Sequence, residues 1–551
     1  MRWTALFLAL LVPASGIARA EEACVLRGRV LGEEGRPLPK VRLRPIVPGA
    51  RSAFADREGR FTLPLPCGTG RMVDVAGVHH DDLLLPVVLA GGETLEVEIR
   101  LRPQPWATRF DSVRVIGEFN GYATATAVPM TRRRDGTFAA TIPCDAESLR
   151  YQLLGVARDG LPTAGTQADT FFFRAGRSMA SLHAGHRPVE LVFDPRRLPR
   201  SQRGPVVRFA RPDAAAAVLY PEMRAENEEQ DRMTAAYRAF GEAGGDRDSF
   251  RWDDSAYRRA LEHRLRVERD PLRRQGLLLN RLQHALAGAD SAVMRRALEE
   301  IPPDAPLWGL VPGGPSGPLW RIRQATGRPA AIRDYAERGS ELHADLEVRA
   351  GFLIAAMSEA EAAGDRERLG RYVTRMQDEF ATSSYAAMAR QQYSPDRAIR
   401  AGQAAPEFAF SSLEDPVRTI RVSEFRGRHL LLDFWAVWCG PCRSEMPQLQ
   451  RAWEGFKDRG LAVLSVSFDL KREDVAAYRR DKWPMPWGHA FASQGFGGGE
   501  SAAFEVWGIP KAILVGPDGV IEAAGEELRG EQLHATLARW LGEPKAGADR
   551  K

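Results

Sequence analysis

Nothing in the chain restricts its fold as tightly as the stretch from His429 to Pro447, "HLLLDFWAVWCGPCRSEMP". From Leu430 to Ala436 it is apolar except for Asp433, the form of a strand buried on both faces of a sheet. Two cysteines follow at once. Pro441 carries the fixed φ of a first helical turn, and "RSEMPQLQRAWEGF" continues with helical character, so Cys439 and Cys442 fall at a strand-to-helix corner. Cys439 then sits near a helix N-terminus, where unpaired N–H groups and the positive end of the helix dipole favour a thiolate. A thiolate can attack a disulfide, and a second thiol close behind it can resolve the mixed disulfide that results.

The residues around this corner extend the pattern. "GLAVLSVSFD" reads as a strand, "REDVAAYRRDK" as a helix, and "VWGIPKAILVGPDGVIEAAGE" as a Gly-Ile-Pro corner followed by a hairpin with a "PDG" turn. Strands alternating with helices predict an α/β layer. On these motifs the segment from about Ala401 to Leu541 resembles the TlpA/ResA-like branch of the thioredoxin superfamily, the exported thiol-disulfide reductases. Trp438-Cys439-Gly440-Pro441-Cys442 matches that superfamily's active-site motif. The resemblance implies Cys439 and Cys442 as the reacting pair, Asp433 as a buried acid, Pro510 as a cis-proline and Pro447 as a helix-kinking proline. It also implies that Trp438, Gly440, Pro441 and Ile509 border the substrate, that Glu445 is the glutamate common in this branch, and that about Leu470 to Phe504 is the branch's insertion. One position departs from the thioredoxin pattern: Ser465 stands where a lysine neighbours the buried acid.

Other chemistries of a Cys-x-x-C pair fit less well. No second Cys or His pair stands at zinc-ligand spacing. Arg443, not His, follows Cys442, so haem attachment fails. A peroxidatic cysteine would follow a Pro-x-x-x-Thr run, and Leu432 and Ala436 occupy those places. No metal or cofactor beyond the redox-active cysteine pair is expected.

The remainder of the 551 residues implies a multidomain protein, since one core rarely serves a chain of that length. With 44% hydrophobic and 27% charged residues the composition is globular. The net charge of +5 is spread among acidic neighbours rather than gathered into a stripe, so no nucleic-acid partner is expected. Residues 1–20 combine Arg2, an apolar stretch from Ala5 to Val12 and Ala18-Arg19-Ala20, the form of a secretory signal cleaved after Ala20. Export to a periplasm or cell envelope follows from that reading. Outside the cytoplasm disulfides persist, and Cys24 and Cys67 fall in one expected sandwich; they are expected to pair, leaving Cys144.

Residues 21–102 alternate as short strands broken by Gly, Pro and Asp, and Gly28-x-Val30, Gly35-x-Pro37-Leu38 and Asp56-x-x-Gly59-x-Phe61 resemble the carboxypeptidase regulatory-like domain, a transthyretin-like β-sandwich. Residues 103–205 read as a second, immunoglobulin-like sandwich. Their "GEFNGY" resembles glycogen-binding-type domains, with Tyr122 as a surface on which a sugar could stack. Residues 206–395 take helical spacing, as at Tyr257, Leu261, Leu265 and at Ile354, Met357, Ala360, and residues 396–551 form the thioredoxin-like domain. The expected fold is therefore two β-sandwiches, an all-α region and a C-terminal α/β domain. The expected function is disulfide exchange with protein substrates, in the reducing direction, recharged by a membrane thiol electron donor. The competing expectation is a cell-envelope interaction or glycan-binding protein with an accessory redox domain.

Overall fold

A computed structural model describes residues 24–543 apart from 33–34, 48, 159, 175–176, 200–205, 244, 246–248, 285–290, 312, 328, 395–396 and 531. The expected signal segment, residues 1–20, and its cleavage point after Ala20 lie outside the described residues. Two compact units are present: one runs to Ala225 and includes Glu268–Leu277 and Ala305–Pro312; the other comprises Glu226–Val267, Leu278–Asp304 and the chain from Gly313 onward.

The first unit contains two sandwiches. In the first, Cys24–Leu31 pairs antiparallel with Arg60–Leu65 and parallel with Thr94–Arg100, and a second four-stranded sheet closes over their inner faces. Alternation produces this arrangement: Leu26 and Val30 point inward with Leu63, Val97 and Ile99, opposite Leu43, Val73, Val75 and Leu85 of the other sheet. At Gly28 a Cβ would come within 1.8 Å of the Val97 carbonyl oxygen, so only glycine admits the neighbouring strand. Val206–Phe209 corrects the domain boundary expected at residue 206. It is an edge strand of this sandwich, antiparallel to Thr94–Arg100, rather than the start of the helical region. Four residues separated from their partner strand by a whole second sandwich leave no local sign of that pairing. The second sandwich is a five-stranded and a three-stranded sheet around Val115, Phe138, Leu153, Leu191 and Phe193. Cys24 and Cys67 are disulfide-bonded, with Cα atoms 5.3 Å apart, and Cys144 is free. Tyr122 is half-buried in a turn at φ 61°.

The second unit contains helices and the C-terminal α/β domain. Helices include Ser255–Val267, which buries Leu261 and Leu265, and Leu346–Ala362, which buries Ile354, Met357 and Ala360. The α/β domain is built on one five-stranded sheet in the order Gly488–Phe491, Leu461–Ser467, His429–Trp435, Lys511–Val515, Ile521–Ala524. The first three strands are parallel; the last two form an antiparallel hairpin, with Gly519 at φ 79° in its Pro-Asp-Gly turn. The central strand is covered on both sides, which is why Leu430, Leu431, Leu432, Phe434 and Trp435 are all at most 1% exposed. Helix Gly440–Phe456 packs on one face, and Gly460 at φ 95° turns the chain from its end into the next strand.

Candidate active site

The central strand delivers the chain to a turn, Ala436–Cys439, at the edge of the sheet. Two side chains clamp that turn at one residue. Both carboxylate oxygens of Asp469 accept the Val437 amide N–H at 3.0 Å, and the Arg443 guanidinium donates to the Val437 carbonyl. Asp469 is itself held by the Ser467 hydroxyl at 2.9 Å; burial pushes its carboxyl above the usual range, and the hydrogen bond from Val437 opposes the rise.

Cys439 is the N-cap of helix Gly440–Phe456: its sulfur accepts the Cys442 amide N–H at 3.1 Å, one of the donors a helix start leaves unpaired. Pro441 stands in the first turn and Pro447 inside the helix. The two cysteines form a disulfide with Cα atoms 5.3 Å apart. Cys439 is 5% exposed and Cys442 1%, so of the pair Cys439 is the one nearer solvent. Trp438, at 56% exposure, and Gly440 and Pro441 form the outer rim beside it. From the other side comes the Ile509-Pro510 corner, whose peptide bond is cis; the Ile509 carbonyl oxygen lies 3.7 Å from the Cys439 sulfur. Ile509 and Pro510 are half-buried, leaving backbone next to the disulfide for a partner strand to meet.

Two residues before the end of the central strand is a buried acid. Asp433, 9% exposed, is paired in register with Ser465 of the neighbouring strand and accepts the Ser465 hydroxyl proton at 2.8 Å. Burial pushes its carboxyl up to about 7; the Ser465 hydrogen bond opposes the rise, and the charge of Glu445 adds to it. Asp433, Glu445, Pro510, Lys511 and Arg529 line a cavity of about 30 Å³, room for one or two waters by the usual requirement of about 10–15 Å³ each. Glu445 is fixed there by the Gly530 amide at 2.8 Å and by Arg529 at 3.6 Å. Lys511 donates to the Glu505 carbonyl at 2.6 Å, and burial lowers its ammonium to about 8.

The structure thus gathers Asp433, Trp438, Cys439, Gly440, Pro441, Cys442, Ile509 and Pro510 at one end of the sheet, across some eighty residues of sequence. Ser465 stands beside the acid as its position in the sequence implies, whereas Asp469 and Trp487, whose indole N–H donates to Ser465 at 2.9 Å, belong to no motif of the sequence. Asp469 carried a faint signal as the polar residue ending a buried strand; Trp487, inside the insertion, carried none. Among the described residues no group of three or more His, Cys, Asp or Glu side chains is disposed to hold a metal ion.

Residues 401–524 match the AhpC/TSA family. Thiol-disulfide oxidoreductase ResA of Oceanobacillus iheyensis is 36% identical over 76 residues, 13% of this chain and 40% of that protein. ResA of Bacillus cereus is 27% identical over 150 residues, 27% of this chain and 81% of that protein. The solved thioredoxin domain of a thiol-disulfide oxidoreductase from Bacteroides vulgatus is 30% identical, covering 26% of this chain and 99% of its own, with a TM-score of 0.24. Over residues 401–524 the chain is thus similar to the AhpC/TSA family, and the curated relatives it resembles in this region are named thiol-disulfide oxidoreductases.

Proposed function

We propose that the protein is an exported protein-disulfide reductase working through Cys439 and Cys442. The observation that carries this reading is the disulfide itself, capping a helix and faced by the Ile509 carbonyl. In the reduced protein the Cys439 thiolate attacks a substrate disulfide, forming a mixed disulfide and releasing one substrate thiolate. The Cys442 thiol then gives its proton, by way of a water, to Asp433 and attacks the Cys439 sulfur. The second substrate sulfur leaves with its electron pair and takes up a proton, and the Cys439–Cys442 disulfide is restored. Two electrons per turnover come from a dithiol donor, which we assign to a membrane thiol relay.

The reducing direction rests on Cys-Gly-Pro-Cys with Ile509 before Pro510, the combination of thioredoxin, whose potential lies at about −270 mV. Export rests on the composition of residues 1–20. We read residues 21–102 as a carboxypeptidase regulatory-like accessory module on the Gly28, Gly35 and Asp56 motifs. No helix among the described residues is long and apolar enough to cross a membrane. The test is insulin reduction by the full chain with dithiothreitol as donor. Acceleration that disappears in Cys439→Ser supports the reading; a rate equal to that of dithiothreitol alone overturns it.

A further inference from the structure

Asp433, Ser465 and His489 are register partners on three neighbouring parallel strands, so a row of polar side chains crosses one face of the sheet. Trp487 reaches this row from just before the outermost strand. Its ring stacks on His489, with centroids 6.3 Å apart and planes at 22°, and lies 5.9 Å from Trp453 of the helix that carries the cysteines. Its Nε1–H donates to Ser465 Oγ at 2.9 Å, and Ser465 Oγ stands 2.8 Å from Asp433 Oδ2. Ser465 is 0% exposed.

The chemistry of these groups favours one arrangement of protons. An indole N–H can only donate, whereas a hydroxyl has one proton to give and lone pairs to receive. With Trp487 occupying a lone pair of Ser465, the serine proton is turned toward Asp433, where it stabilises the carboxylate. Without Trp487 both lone pairs are open and the hydroxyl turns more readily to accept a proton from the acid form. We propose that Trp487 is a positioning residue for disulfide exchange: through Ser465 it holds Asp433 as a hydrogen-bond acceptor, ready to take the Cys442 proton.

This rests on the proposed role of Asp433 as the base. The balance is that of the resolving step already described: the proton moves from Cys442 to Asp433, and the Ser465 and Trp487 protons stay where they are. The other groups facing Asp433 are Glu445 from the cysteine-bearing helix, Lys511 from the adjacent strand and Arg529 from the segment before the last helix. His489, held neutral by burial with its imidazole lowered to about 4 and its Nε2 at 2.9 Å from the Met485 carbonyl, is no rival base near neutral pH.

The experiment is an infrared pH titration of the reduced full chain, with the Asp433 carboxyl band identified by its loss in Asp433→Asn. Trp487→Phe keeps the ring between Trp453 and His489 and deletes only the donor. The Asp433 midpoint should rise by about half a pH unit, a threefold change in proton affinity, and in Ser465→Ala by about one unit, a tenfold change. Ser465→Thr, which keeps the hydroxyl, should return the midpoint to the wild-type value. Adding Trp487→Phe to Ser465→Ala should move it no further, because the indole acts through the serine. Should the Phe variant fold poorly, benzothienylalanine at 487 replaces the N–H by sulfur in the same shape. An unmoved midpoint in the folded Trp487 variants, or full additivity with Ser465→Ala, overturns the proposal. The pH profile of insulin reduction is measured alongside. A shifted midpoint without a matching shift in that profile leaves the hydrogen-bond relay standing and removes Asp433 as the base.

Discussion

Cys439 caps the helix that Cys442 rides on: the Cys442 amide points at the Cys439 sulfur from 3.1 Å, and the same sulfur faces the Ile509 carbonyl at 3.7 Å. The two cysteines therefore meet different surroundings although only two residues separate them. Cys439 lies where helix amides and the helix dipole favour negative charge and where a partner strand can approach; Cys442 is 1% exposed behind it.

Under the proposed function, that asymmetry makes Cys439 the attacking and Cys442 the resolving sulfur. Cys442→Ser should leave attack intact and hold the substrate as a stable mixed disulfide on Cys439, seen as a reducible high-mass band on a non-reducing gel of cell extract. Cys439→Ser should lose both turnover and trapping. Trapping by Cys439→Ser in place of Cys442→Ser would exchange the two roles.

In the reduced protein the same difference should appear as selectivity toward iodoacetamide. Near neutral pH Cys439 should be alkylated at least about tenfold faster than Cys442, because thiolate content and access both favour it. Peptide mass mapping over a time course reads the two rates. Equal rates would remove the helix-start argument.

Asp433 couples the site to stability. Its carboxyl is raised from 3.8 to about 7, so between these values the folded state holds a proton that the unfolded chain has released. Stability accordingly falls as pH rises from about 4 to about 7, by on the order of 4 kcal/mol. Asp433→Asn, which cannot ionise, should melt at a higher temperature than wild type at pH 8 and lose that advantage toward pH 4. Calorimetry across this range checks it, and a variant less stable at pH 8 than at pH 4 relative to wild type would contradict the burial of the acid.

The clamp on Val437 should matter for turnover. Asp469→Ala removes the acceptor for the Val437 amide and frees the turn that aims Cys439, and kcat/KM for insulin reduction should drop about tenfold. Asp469→Asn, which keeps one acceptor oxygen, should lose less. Equal activity in wild type and Asp469→Ala would show the turn to be held by its other contacts.

Away from the site, non-reducing peptide mapping should recover Cys24 joined to Cys67, with Cys144 open to alkylation in the native protein. A link spanning 43 residues restricts the unfolded chain, and Cys67→Ser should cost about 2–4 kcal/mol of the first sandwich's stability in urea unfolding. Recovery of Cys144 linked to either partner would contradict the pairing.

The local structure of the cysteine-bearing corner was legible in the residues. The apolar run around Asp433, the proline two residues past Cys439 and the Pro-Asp-Gly turn each act over a few neighbours, through burial, a fixed φ and a positive φ, so strand, helix start and hairpin could be read one after another. Alternation likewise marked two N-terminal β-rich regions, and period marked the helices. What only the tertiary structure decided were pairings between residues far apart in the chain. Val206–Phe209 joins a sheet begun at Cys24, Asp469 reaches back 32 residues to the turn before Cys439, and Trp487 meets Asp433 through Ser465. None of these follows from neighbouring residues, because a hydrogen bond across a sheet depends on strand order and register, and those are set by how whole buried faces fit together.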